Sequence, residues 1–186
     1  MVEAWTTLWE IVGSSNSFRG KKMRKLFLDG GGLTLFLKCM KKFPNNATLI
    51  EIMLGCLSEV VLDPKQRPKM MTKDFASQII ALSDTPGFTD LSLCAIETLC
   101  HMLNDGPTSW KKTKTSFLDT LTTISAIYGR WKPEDAITSL GIDNFDDTFK
   151  FLESDIPEMQ LHGLWSIALF TRQRNSKFSR FLNCKT

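Results

Sequence analysis

Residues 49–61 read LIEIMLGCLSEVV. Leu49, Ile52, Met53, Cys56, Leu57 and Val60 recur at three- and four-residue steps, which puts them on one stripe of a helix. The pattern returns in Leu91, Cys94, Ala95, Leu99 and Met102, and again in Leu161, Leu164, Trp165, Ala168 and Leu169. No stretch alternates at period two for long enough to suggest a sheet, so the chain reads as all-α.

Turn signals punctuate these helices. Gly30-Gly31-Gly32 supplies a stop after Leu28. Pro44-Asn45-Asn46 is a turn in which either asparagine can cap the next helix. Pro64 to Pro68, Thr85-Pro86-Gly87 and Asp105-Gly106-Pro107 mark further breaks. Asp155-Ile156-Pro157-Glu158 reads as an N-cap region with proline near the first helical position. The helices implied run over roughly 2–13, 21–28, 33–43, 46–62, 72–83, 90–103, 113–128, 133–140, 143–153, 157–171 and 175–183.

Four segments align around Leu8, Leu57, Leu99 and Leu164, reading LWEIV, LSEVV, LCHML and LWSIA. The first three are 49 and 42 residues apart, close to the period of a three-helix armadillo unit. The last interval is longer and implies an insertion, for which Thr108 to Lys114 is the natural place. Each segment then forms the long third helix of a unit, and third helices stacked side by side line a concave groove. The expected architecture is one armadillo-like helical repeat solenoid over 1–186. It has a partial first repeat at 1–28, repeats near 29–63, 64–106 and 107–172, and a basic tail at 173–186. Trp5 and Trp9 in the first segment are expected to leave apolar surface without an upstream neighbour.

Composition narrows the function. Hydrophobic residues at 42% can build a core, and a net charge of +3 is too small to argue for nucleic acid. The five cysteines are odd in number, lack C-x-x-C spacing and sit mostly in apolar helical patterns, as small buried hydrophobes do in a reducing compartment. No signal peptide or bilayer-length apolar run is visible, so the cytosol or nucleus is the expected location and no membrane the expected surroundings. Basic clusters at Arg19–Lys25 and Arg172–Lys185 flank an acidic stretch from Glu134 to Glu158. They read either as solvated helix faces or as the charged ends of a groove.

Further residue patterns resemble a known group. GGLTLF (31–36), Phe43-Pro44, MLGCLSEVV (53–61), HMLNDGPTSW (101–110) and QLHGLWSIALF (160–170) are similar to the armadillo-like C-terminal region of the Zyg eleven and Zer one family. The likeness covers most of residues 5–172. It implies a substrate receptor of a Cullin-two ubiquitin ligase, whose repeats read protein N-termini that begin with glycine or another small residue. The family's cullin-binding segment and leucine-rich repeats have no counterpart in these residues, so direct cullin binding is not expected of this chain alone. Family pockets use a Trp and an Asp on one third helix and an Asn and a Glu on the next. Here Trp9 keeps the first position, Gly13 stands for the Asp, Glu59 for the Asn and Leu62 for the Glu.

The candidate peptide-binding residues are therefore Trp9, Glu10 and Glu59, with His101 and Trp165 at aligned places on later third helices. An aromatic wall and two carboxylates suit an N-terminal amine, which carries one positive charge and three donors. The plainer alternative packs Trp9 on Leu57 and turns both carboxylates to solvent. Two histidines without acids or cysteines at ligand spacing make neither a metal site nor a Cys–His nucleophile. The glycine run lacks the strand and Gly-Lys-Ser of a phosphate loop. Asp143, Asp146 and Asp147 lack calcium-loop spacing and fit a helix start. No cofactor is expected, nor an enzyme, because no nucleophile, base and orienting group converge. The expected partner is a protein or peptide, including an N-terminal degron. Binding of anionic surfaces or nucleic acid by the basic clusters, and self-association through the first helix, are the alternatives.

Overall fold

The computed structural model describes residues 1–13, 18–86, 90–130 and 150–172, excepting the side chains of 18, 19, 90, 165, 166 and 168–172. Among them the regular elements are all helical. In chain order they are α1 (Val2–Val12), α2 (Phe18–Asp29), α3 (Gly32–Lys42), α4 (Ala47–Val61), α5 (Arg67–Met70), α6 (Lys73–Ser83), α7 (Asp90–Leu103), α8 (Gly106–Trp110), a 3₁₀ turn at Lys111–Thr113, α9 (Phe117–Arg130) and α10 (Pro157–Arg172).

Helix ends follow local chemistry. Asn46 caps α4 by accepting from the Leu49 amide at 3.0 Å, and Thr72 caps α6 through the Phe75 amide. Gly31 sits at φ 85°, where a side chain would be strained, and turns α2 into α3. Gly32 is equally constrained by packing. A Cβ there would lie 2.4 Å from the Phe27 ring.

Leu8, Leu57, Leu99 and Leu164 lie on α1, α4, α7 and α10. α1 packs on α4, α4 on α7, and α7 on α10. A second row runs α3, α6, α9, and α6 joins the rows by packing along α7. The helical repeat inferred from the aligned segments is therefore present as two rows of neighbouring helices. Buried side chains between the rows form the core, including Met53, Leu57, Phe75, Ile79, Ile96 and Leu99. A helix face this apolar cannot remain solvated, and each row covers the other's stripe. Edge-to-face ring pairs pin the seams: Trp5 on Phe27, Phe36 on Phe75, and Trp110 on Phe117.

Two expectations change. Trp5 is 2% exposed, because α2 folds back and lays Phe27 against it, so the first helix is partly covered from within the chain. The segments around Pro68 and Thr108–Lys114, expected as a turn and an insertion, contribute α5, α8 and the 3₁₀ turn, which pack on α4, α7 and α6. The helices expected at 133–140 and 175–183, most of 143–153 with Asp143, Asp146 and Asp147, and the tail 173–186 lie outside the described residues.

One repeated contact fixes the frame. Arg24 is buried on α2 and donates to the Val12 carbonyl at 3.0 Å. Arg67 is buried at the start of α5 and donates from Nε to the Val61 carbonyl at 2.8 Å. Val12 and Val61 are equivalent in the aligned segments, and each is the last residue of its third helix. A guanidinium there satisfies a carbonyl that has no helical partner and complements the negative end of the helix dipole.

Candidate functional site

Trp9 and Glu59, two of the sequence-derived candidates, lie at the seam between α1 and α4. The two helices run in parallel register, with Trp9 beside Gly55 and Gly13 beside Glu59. The indole lies on the bare backbone of Gly55. A Cβ at 55 would sit 3.0 Å from Trp9 Cζ2 and 3.1 Å from Cε2. Trp9 nevertheless remains 40% exposed, so one part of the ring is held and another is presented to solvent.

Glu59 is half-buried one turn beyond Gly55, and a Cβ at Gly13 would meet its Cγ at 3.3 Å. Glu10 is exposed on α1. The negative charge of Glu59 adds to burial in pushing the Cys56 thiol up to about 12, with burial the larger cause. That cysteine is an inert core residue. An aromatic surface, a half-buried carboxylate and an exposed one thus sit on two adjacent third helices.

Gly55 was not among the candidates, although a glycine inside an apolar helix is itself a sign of close approach. Replacing it with alanine tests the seat. Alanine favours the helix by ~1 kcal/mol, which offsets the contact it displaces, so stability should change by less than about 1 kcal/mol. Acrylamide quenching should nonetheless rise by the fraction that Trp9→Phe removes. Unchanged quenching would mean that the ring does not depend on Gly55.

His101 stands elsewhere. It is 8% exposed, with its ring centroid 4.9 Å from that of Phe151, and Nε2 has no hydrogen-bond partner among the described residues. Burial lowers its pKa from 6.5 to about 3, and the positive Arg67 and Lys150, together with the His162 ring, act in the same direction. It is a neutral buried ring and not an open polar wall. His162, buried on α10, is hydrogen-bonded through Nδ1 to the Tyr128 hydroxyl and lies edge-on to Phe151. Burial lowers its pKa to about 4. Trp165 is on α10, with its side chain outside the described residues.

Arg24, expected within a solvated basic cluster, is buried, while Lys21 and Lys22 are exposed. Among the described residues no group of His, Cys, Asp and Glu could hold a metal ion, and no helix is long and apolar enough to cross a membrane.

Two rows of helices whose third members present a shared face define a helical-repeat protein with a candidate binding seam. Residues 1–185 match the family model described as "Protein zer-1 homolog-like, C-terminal domain", and the chain belongs to that family. Its relatives include the Protein zer-1 homolog of Homo sapiens, 32% identical over 108 residues covering 58% of this chain and 13% of that protein. The Drosophila melanogaster Protein zer-1 homolog is 24% identical over 212 residues, covering 98% of this chain and 26% of that protein. Zyg eleven-related protein 1 of Caenorhabditis elegans is 26% identical over 133 residues, covering 71% of this chain and 14% of that protein. The chain thus spans about a quarter or less of the length of these relatives.

Proposed function

We propose that this domain is a non-catalytic protein-recognition module of a Cullin-two ubiquitin-ligase substrate receptor, and that it takes a partner's N-terminal segment at the α1–α4 seam. The carrying observation is the Trp9 indole, part seated on Gly55 and part exposed, with Glu59 one turn beyond Gly55 on α4. Trp9 supplies the aromatic contact, and Glu59 with Glu10 supplies the field that draws a primary amine. His101 supports the neighbouring helix from the core.

Acetylating the amine removes its charge and two of its donors. A charge-assisted hydrogen bond contributes ~1.5–3 kcal/mol, so a free N-terminus should bind about 10- to 100-fold more tightly than an acetylated one. The measurement is fluorescence anisotropy with C-terminally labelled decapeptides beginning with glycine, free or Nα-acetylated. Trp9→Ala with Glu59→Lys should abolish the difference. Equal binding of the two peptides, or no binding of either, refutes amine capture.

A further inference from the structure

The net charge of +3 conceals a sorting of charge between the layers. α1, α4 and α7 carry Glu3, Glu10, Glu51, Glu59, Asp90 and Glu97, with no Lys or Arg. By contrast α2, α3 and the 3₁₀ turn carry Lys21, Lys22, Lys38, Lys41, Lys42 and Lys112, all exposed. Outer acids are drawn into pairs with outer bases. Asp29 bridges Lys25 and Lys69, and Asp84 pairs with Arg130. On the third helices Glu3, Glu10 and Glu51 are exposed, and Glu59 is half-buried against Gly13, one turn beyond the Gly55 seat of Trp9.

We infer that the face of α1 and α4 takes an extended lysine- or arginine-rich segment of a protein partner. The aliphatic stem of one basic side chain lies across Trp9 with its charged head at Glu59, and further cations lie along Glu10 and Glu51. This rests on the protein-binding reading and extends it to the partner's second and later residues. Sign complementarity selects that occupant, because phosphate-rich partners would be repelled from this face while a basic segment is steered to it. The indole distinguishes the face from a merely solvated acidic surface, since a 40% exposed tryptophan fixed on backbone is an apolar anchor.

The test uses the full chain and two Nα-acetylated, C-terminally labelled decapeptides, one of alternating Gly and Lys and the other of alternating Gly and Glu. The lysine peptide should bind at least 10-fold more tightly at low salt and weaken as salt rises. Glu10→Gln with Glu59→Gln should weaken it at least 5-fold. Glu10→Gln with Glu51→Gln, which alters exposed residues only, should weaken it in the same direction, while Glu153→Gln, off this face, should not. A lysine peptide bound no better than the glutamate peptide overturns the inference, as does binding that ignores both double variants. Because both peptides lack a free amine, this failure is distinct from failure of amine capture.

Discussion

Arg67→Met should lower the free energy of unfolding by about 3 kcal/mol. Arg67 Nε donates to the Val61 carbonyl at 2.8 Å, and Nη1 bonds the Asp105 carboxylate. The Arg67 side chain is 9% exposed and that of Asp105 26%. Methionine keeps most of the stem's packing, so the loss isolates the polar contacts. Removing one partner of a buried charge pair costs ~3–5 kcal/mol, and the partial exposure of Asp105 favours the low end. The comparison is Arg130→Met. The Arg130–Asp84 pair also links distant helices, but its side chains are 62% and 53% exposed, so its loss should cost less than about 1 kcal/mol. Urea unfolding of both variants decides the matter, and similar costs for the two would refute the role given to burial.

Acidification should destabilise the fold, by about 4 kcal/mol between pH 7.5 and pH 5. His162 and His101 are held neutral, with pKa values of about 4 and about 3 against 6.5. The folded values are depressed, so the unfolded chain binds more protons between about pH 6.5 and about pH 4. Stability is therefore full above pH 6.5 and falls as the pH drops through that window, at ~1.4 kcal/mol per unit for each histidine. Protonation would place a charge against Phe151 and, at His101, near Arg67 and Lys150. His101→Phe should remove about half of the slope, because it removes one of the two depressed histidines. Stabilities that match at pH 7.5 and pH 5 would refute this account.

The repeat was legible because its signal is periodic. Leu8, Leu57, Leu99 and Leu164 mark helices that are successive neighbours, and Gly31, Asn46 and Pro157 act at the ends assigned to them. The features that were missed depend on tertiary context. α5 and α8 are only four and five residues long and carry proline in their first turn, so their residues alone resemble turns. The burial of His101 depends on Phe151, fifty residues away, and that of Arg24 on the end of α1. For the candidate residues the repeat frame places Trp9, Glu10 and Glu59 on adjacent helices, and α1 does pack on α4. Gly55 was not legible, because its importance is the ring that lies on it.

The paired arginines have a consequence for how such arrays can be cut. Arg67 lies beyond the boundary drawn near residue 63, yet it terminates the helix before that boundary, and Arg24 does the same for α1. The helices α1 and α4 therefore each borrow a closing bond from the stretch of chain that follows. A deletion or graft made at the apparent joint would strand a carbonyl on one piece and a cation on the other. Exchange of whole modules between family members should succeed when the cut falls a few residues downstream of the arginine.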